Sequence, residues 1–167
     1  MLDPQRDIID VNVNGIKTVF RSCRKAAKAG SLKCVVMTSS TAAVQDHTKP
    51  VGYVFSETDF NLTATVTNDP YPCSKSLSEK WATDYVAKLP ESDSFRLAFI
   101  NPGAIYGPPL AEQHWAGSIS IIRDLMIGKF PMCPKLHFGA IDVRDVARAH
   151  VHALDHNDVT GTGCCLP

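Results

Sequence analysis

Apolar side chains recur at helical spacing in several stretches of the chain. From Asp7 to Ala29 they alternate with polar residues, and the basic tail of this segment ends at Gly30. This pattern predicts an amphipathic helix that stops at a glycine. Further helices are predicted from Tyr71 to about Pro90, from Ser118 to Ile127 and from Asp142 to Leu154.

Short apolar runs between these helices predict strands. Lys33–Thr38 and Phe95–Ile100 are both rich in apolar residues and bounded by small or turn-forming ones, so each is predicted to be a buried strand. The second strand is predicted to end in a sharp turn at Asn101-Pro102-Gly103. The sequence TGTGCCLP at residues 160–167 resembles the start of a later strand.

The order of these elements is helix, strand, helix, strand, followed by the last two helices. Continuous apolar strands between helices are typical of a parallel sheet covered on both faces, which predicts an α/β fold. With 167 residues and 44% hydrophobic content, the chain is expected to form a single domain.

The polar segment 45–70 and the segment 131–134 contain proline, glycine or Asn-Asp breakers and are predicted to be loops. A surface loop as long as 45–70 is a place where functional residues lie.

Charge and composition narrow the choice of partners. The 17 basic and 17 acidic residues balance, so the chain offers no net field for nucleic acid or an anionic membrane, and small molecules or proteins are the expected partners. No segment reaches the roughly 20 apolar residues of a membrane span. The first residues also lack the basic stretch followed by an apolar stretch that is typical of a signal peptide, so a cytoplasmic location is expected. The six cysteines form no CxxC pair and the histidines have no metal spacing, so reduced thiols and no bound metal are expected.

Tyr71 and Lys75 lie four residues apart at the predicted start of a helix. This spacing places both side chains on one helix face, where they can reach a common ligand. A phenol with a pKa of about 10 is a poor proton donor at neutral pH, and a neighbouring ammonium lowers that pKa by stabilising the phenolate. The pair therefore favours carbonyl reduction, and the alternative for this spacing alone is an exposed helix pair that arose by chance.

A second candidate, Ser40, follows the first predicted strand directly. Ligands of open α/β sheets bind at the carboxyl ends of the strands, where a serine hydroxyl can hydrogen-bond a substrate oxygen. Taken alone, a serine in this place is more often a turn or helix-capping residue.

Five segments of the chain together carry a family resemblance: VNVNGIKTVFRSC (11–23), VVMTSSTAAV (35–44), YPCSKSLSEKWA (71–82), FRLAFINPGAIYGPP (95–109) and IDVRDVARAHVHAL (141–154). In this order they resemble the extended short-chain dehydrogenase/reductases, the superfamily of NAD-dependent epimerases and dehydratases. Within it they are similar to the branch of dihydroflavonol reductases, cinnamoyl-CoA reductases and fungal aldehyde or ketone reductases. The resemblance implies a Rossmann-like, doubly wound parallel sheet.

The resemblance also implies roles for individual residues. Ser40 would orient a substrate carbonyl, Tyr71 would donate its proton, and Lys75 would hold the nicotinamide ribose. Pro102 and Ile105 correspond to backbone that lies against the nicotinamide in the family. NADP(H) is the more expected cofactor than NAD(H), and a homo-oligomer is an open expectation. Asp145 matches an acidic position whose expected role is structural, as a cap or in a charge pair.

The sequence lacks one part of the family pattern. The 10 glycines never form the GxxGxxG loop that binds the pyrophosphate at a helix N-terminus, so a partial Rossmann-like domain without its first strands is expected. Three hypotheses follow from this. The chain is part of an NAD(P)H-dependent aldehyde or ketone reductase with little or no activity alone, or a noncatalytic protein-binding product, or a nucleotide-sugar epimerase or dehydratase.

Overall fold

The computed structural model describes residues 3–111, 117–132, 139–156 and 163–166. A π-helical turn, Gln5–Asp10, leads into the first α-helix. The helices are α1 Val11–Lys28, α2 Pro70–Ala87, α3 Ser118–Met126 and α4 Val143–Asp155. The strands are β1 Cys34–Thr38, β2 Arg96–Pro102, β3 Ala104–Tyr106, β4 Ala140–Asp142 and β5 Gly163–Leu166, and 3₁₀ turns lie at Thr41–Ala43 and Glu91–Asp93.

The described strands form two parallel sheets. The larger has the order β1-β2-β5, with Thr38 paired to Ile100 and Phe99 paired to Gly163. The smaller joins β3 to β4, with Ile105 paired to Ile141. Because parallel strands need crossover connections, the helices between them are laid over the sheet, and the predicted α/β fold is confirmed.

Residues of β2 alternate between the two faces of the larger sheet. Leu97 and Phe99 point into a core with α1 and α2, whereas Ala98 and Ile100 pack with Ala153 of α4. This period of two is a property of the pleated strand, and burial on both faces explains why the run is continuously apolar. The sheet is therefore covered on both sides, as the pattern predicts.

Aromatic rings fill the core beneath α1 and α2. The Phe20 ring lies 5.9 Å from Trp81, 6.3 Å from Tyr85 and 5.9 Å from Phe95, in edge-on or tilted orientations. Such geometries are favourable for aromatic pairs and add to the free energy of burying each ring. Phe20 is consequently the centre of the contact that holds both helices on the sheet.

A glycine ends α1, and polar side chains bond the backbone at both ends of α4. Gly30 has a φ of +73° just after α1, the left-handed conformation that suits glycine and ends the helix as predicted. The Asp142 side chain accepts the Arg144 N–H at 2.8 Å and caps the start of α4. Arg96, the first residue of β2, donates to three carbonyl oxygens at the other end of α4, those of Ala153, Leu154 and His156.

The structure corrects two details of the strand predictions. Strand β1 is only half-buried instead of buried, because it lies at the edge of the described sheet and pairs only with β2. The bend predicted at Asn101-Pro102-Gly103 is confined to Gly103, since β2 continues through Asn101 and Pro102. Pairing with β5 carries the ladder two residues beyond the end of β1. The small β3–β4 sheet was not predicted, and residues 133 and 134 of the second predicted loop lie outside the described residues.

Candidate active site

Tyr71 and Lys75 lie in the first turns of α2. Pro70 begins this helix, where a proline is tolerated because the first N–H groups have no helical partner. The Lys75 Nζ lies 5.6 Å from the centre of the Tyr71 ring, on its face, a distance at which an ammonium is attracted to an aromatic ring. Tyr71 is 50% exposed and Lys75 is half-buried, so both groups of the predicted pair are open to a ligand.

Ser40 lies two residues beyond β1 and begins the 3₁₀ turn. Its Oγ accepts the N–H of Ala42 at 3.2 Å, so the capping role considered for this serine is observed. That bond uses a lone pair and leaves the hydroxyl hydrogen able to donate to another oxygen. The neighbouring Ser39 is buried, and its N–H donates to the carbonyl of Ile100 at 2.8 Å.

Pro102 and Ile105 occupy different surroundings. Pro102 is the buried last residue of β2, at the same end of the sheet as Ser40, because β1 and β2 run parallel. Ile105 is half-buried in β3 and lines a cavity of about 440 Å³ with side chains of α3 and α4. The structure therefore brings Ser40 and Pro102 to the same end of the larger sheet, at the carboxyl ends of its strands. Ile105 belongs to the smaller sheet.

Two buried polar residues that the sequence reading missed connect the parts of this site. The Asn101 Nδ2 donates to the Glu79 Oε1 at 2.6 Å and to the backbone oxygen of Ser40 at 3.1 Å. Burial raises the pKa of Glu79, and the neighbouring Ser39, Asn101 and Lys75 oppose that rise. Glu79 falls four residues after Lys75, so its helical spacing was a usable indication of a role on the same face.

The segment 44–69 contains no helix or strand, as predicted for its loop, and two buried polar side chains organise it. The Asp46 Oδ1 accepts from the Thr48 N–H and hydroxyl and from the Thr63 hydroxyl, which lowers the pKa of Asp46 to about 2. Asn61 donates through Nδ2 to the carbonyls of Ala42 and Gln45. These bonds attach the loop to the 3₁₀ turn beside Ser40.

The donor set at this end of the sheet suits the nicotinamide half of a dinucleotide. The phenol and the ammonium of α2 can hydrogen-bond ribose hydroxyls, and the hydroxyl of Ser40 and the buried ring of Pro102 lie at the end of the neighbouring strands. We therefore take Tyr71, Lys75 and Pro102 as residues that fit this group.

Other candidate groups have structural roles or none. Asp145 pairs with Arg148, which favours the charge-pair role over the cap that Asp142 provides. In the described ranges Cys23, Cys34 and Cys73 are free thiols, and no three His, Cys, Asp or Glu residues cluster as metal ligands. None of the helices described for this chain is long and apolar enough to cross a membrane.

Comparison with known proteins gives a consistent set of relatives. Residues 2–163 match the model of the NAD dependent epimerase/dehydratase family. The NADPH-dependent methylglyoxal reductase of Saccharomyces cerevisiae is 34% identical over 95% of this chain and 50% of its own. A cinnamoyl-CoA reductase of Medicago truncatula is 34% identical over 98% of this chain and 49% of its own. The chain thus spans about half the length of the curated relatives it matches.

The solved structures agree with this family. The crystal structure of yeast methylglyoxal/isovaleraldehyde reductase complexed with NADPH superposes with a TM-score of 0.87 at 32% identity, covering 99% of this chain and 52% of the other. These matches confirm the resemblance seen in the five sequence segments, including its reductase branch. The chain belongs to the NAD dependent epimerase/dehydratase family.

Proposed function

We propose that the protein serves NADPH-dependent reduction of an aldehyde or ketone. The observation that carries this proposal is the Tyr71–Lys75 pair, with the ammonium 5.6 Å from the phenol ring on an open face of α2. The position of Ser40 at the end of β1 supports it, since this is where ligands of parallel sheets bind. The name of one relative, an NADPH-dependent methylglyoxal reductase, favours NADPH, and both this name and that of the cinnamoyl-CoA reductase favour a carbonyl substrate.

Ser40, Tyr71 and Lys75 have different parts in this chemistry. Bound NADPH supplies the hydride that the carbonyl carbon accepts. The Tyr71 hydroxyl donates its proton to the carbonyl oxygen, so that an alcohol and NADP⁺ result and the phenolate regains a proton from water. Lys75 stabilises that phenolate and binds the ribose, and the Ser40 hydroxyl donates a hydrogen bond that orients the substrate oxygen.

The proposal includes weak turnover by the 167-residue chain alone, as a single partial Rossmann-like domain. Its 10 glycines form no GxxGxxG loop, and that loop supplies the backbone N–H groups that hold a dinucleotide pyrophosphate. The proposed nicotinamide half-site therefore lacks the usual source of phosphate affinity. A cytoplasmic location and a homo-oligomer are also proposed, to be checked by imaging of the tagged protein and by light scattering.

The test is consumption of NADPH by the purified protein with methylglyoxal and isovaleraldehyde, comparing wild type, Tyr71→Phe and Tyr53→Phe. Tyr71→Phe is expected to lower kcat by about 100-fold or more with nearly unchanged NADPH affinity, because the proton donor is lost while Lys75 still binds the ribose. Tyr53→Phe is the control, since Tyr53 is also exposed and its hydroxyl donates to Asp59 within the loop. Equal rates for wild type and Tyr71→Phe would refute the role of Tyr71.

Calorimetric titration with NADPH and NADH separates the remaining alternatives. Tighter binding of NADPH is the expected result. Absence of binding together with absence of turnover would favour the noncatalytic hypothesis. Conversion of a nucleotide sugar without net consumption of NADPH would favour an epimerase.

A further inference from the structure

Glu79 is a carboxylate in an unusual place. Only 4% of the residue is exposed, although it lies on α2 between exposed Leu77 and exposed Lys80. Burial of a carboxylate is costly unless hydrogen bonds or a counter-charge compensate, so a buried glutamate needs a specific partner. A carboxylate buried here at such a cost requires an explanation other than packing.

That partner is Asn101, which is completely buried near the end of β2. One amide group of Asn101 makes both bonds, at 2.6 Å to Glu79 and at 3.1 Å to the Ser40 carbonyl. A primary amide has two N–H hydrogens, so these two acceptors use its full donor capacity and set its orientation. Rotation of the amide would break both bonds together.

The two bonds join the elements that carry the proposed site. Glu79 is on the helix of Tyr71 and Lys75, one turn after Lys75, and Ser40 is on the turn that follows β1. The Ser40 carbonyl also accepts the Ala43 N–H at 3.0 Å, so the bond from Asn101 reaches the acceptor that begins the 3₁₀ turn. A direct path of hydrogen bonds thus runs from α2 through β2 to the serine.

We propose that Glu79 and Asn101 are positioning residues that hold Ser40 in place relative to the Tyr71–Lys75 face of α2. This inference rests on the proposed reductase function and adds to it two residues that act through Ser40 without touching substrate. Displacement of a catalytic group by about 1 Å can lower a rate on the order of 100-fold, which is the kind of loss that such a pair prevents.

The variants Glu79→Leu, Glu79→Gln and Ser78→Ala test this proposal. Leucine removes the acceptor while keeping similar volume, whereas glutamine keeps an acceptor oxygen and removes the charge. Ser78→Ala is the matched control, because Ser78 is buried beside Glu79 on the same helix and its hydroxyl has no hydrogen-bond partner among the described residues. We expect kcat to fall about 10- to 100-fold in Glu79→Leu, and less than about 3-fold in the other two.

A double-mutant cycle with Ser40→Ala shows whether Glu79 acts through the serine. In the Ser40→Ala background, Glu79→Leu is expected to change kcat by less than about 3-fold, because the group that it positions is already gone. The same loss in both backgrounds would overturn the proposal. So would a loss of about 10-fold or more in Glu79→Gln, since charge would then be the cause. This outcome can be measured even if Glu79→Leu does not fold.

Amide hydrogen exchange gives a readout that needs no activity. Residues 39–43 are expected to exchange about 10-fold faster in Glu79→Leu than in Ser78→Ala, with Glu79→Gln close to wild type. Unchanged exchange in Glu79→Leu would overturn the positioning role. Wild-type protein that neither binds NADPH nor reduces a carbonyl would instead remove the proposed function, and the exchange comparison would still decide whether Glu79 holds Ser40.

Discussion

The aromatic core under α1 and α2 and the polar end of the sheet are built in opposite ways. Around Phe20 the contacts are apolar rings and aliphatic side chains, which gain free energy simply by leaving water. At the end of β2, Asn101 and Glu79 are equally buried, yet their burial is compensated by directed hydrogen bonds and, for Glu79, also by the charge of Lys75. The first region contributes stability, and the second contributes a defined geometry.

This difference shows where function lies in the chain. Substitution in the aromatic core should reduce the free energy of unfolding, with effects on catalysis only through loss of folded protein. Substitution at the polar end should change rates, with smaller effects on stability. Four variants test this contrast, beginning with the largest expected effect.

Phe20→Ala should destabilise the protein by about 3–5 kcal/mol, because it removes a fully buried ring and leaves a cavity among three other aromatic residues. Urea unfolding followed by tryptophan fluorescence measures the change. Val19→Ala is the control, since Val19 is the next residue of α1 and is 57% exposed. Similar unfolding midpoints for the two variants would contradict the central place of Phe20.

Lys75→Met should lower kcat on the order of 100-fold, about 2.7 kcal/mol in activation free energy, while the unfolding midpoint stays close to wild type. It should also raise the KM for NADPH, because Lys75 is assigned to both the ribose and Tyr71. Steady-state kinetics with varied NADPH measures both constants. Lys80→Met, on the exposed side of α2, is the control, and equal kinetics in the two variants would remove Lys75 from the site.

Glu79→Gln should make stability less dependent on pH. Burial raises the pKa of Glu79 in the folded protein above its unfolded value, so the folded state binds this proton more tightly. The free energy of unfolding therefore falls as the pH rises from the unfolded pKa, about 4.3, through the raised folded pKa. Urea unfolding at several pH values should show this fall in wild type and a smaller one in Glu79→Gln; identical profiles would contradict it.

Arg24→Gln should have the smallest effect, and of the opposite sign. The hydrogen bond that Arg24 donates to Asp93 at 2.8 Å is the largest cause that lowers the pKa of Asp93 in the folded state. The hydrogen bond from Ser92 is the second. The stability that this carboxylate contributes is present above its unfolded pKa and is lost as the pH falls through its lowered folded value. On acidification the free energy of unfolding should therefore fall less in Arg24→Gln than in wild type. Arg21→Gln, which replaces an exposed arginine on α1, is the control.

Local patterns were sufficient to predict most elements of this fold. The helical period from Asp7 to Ala29 and the glycine at position 30 predicted α1 and its end, because both depend on residues within a few turns of each other. The end of β2 was predicted wrongly, since Asn101 and Pro102 are typical of turns. Pairing with β5, far along the chain, keeps them in the strand.

The candidate site likewise contains some residues that the sequence predicted and others that it did not. Tyr71 and Lys75 were found from their spacing, because a helix brings residues four apart onto one face whatever the remainder of the fold. The roles of Ser40, Tyr71, Lys75, Pro102 and Ile105 remain predictions. Glu79 and Asn101 were missed, since 22 residues separate them and nothing local indicates that they meet.

The sequence by itself determined the α/β order of elements, the family and the Tyr71–Lys75 pair, because periodicity and short motifs are encoded by near neighbours. Only the tertiary structure decided which buried polar groups compensate one another. Asn101 reaches Ser40 and Glu79 because β1 and β2 run parallel under α2, and a hydrogen bond depends on distances that no spacing along the chain specifies.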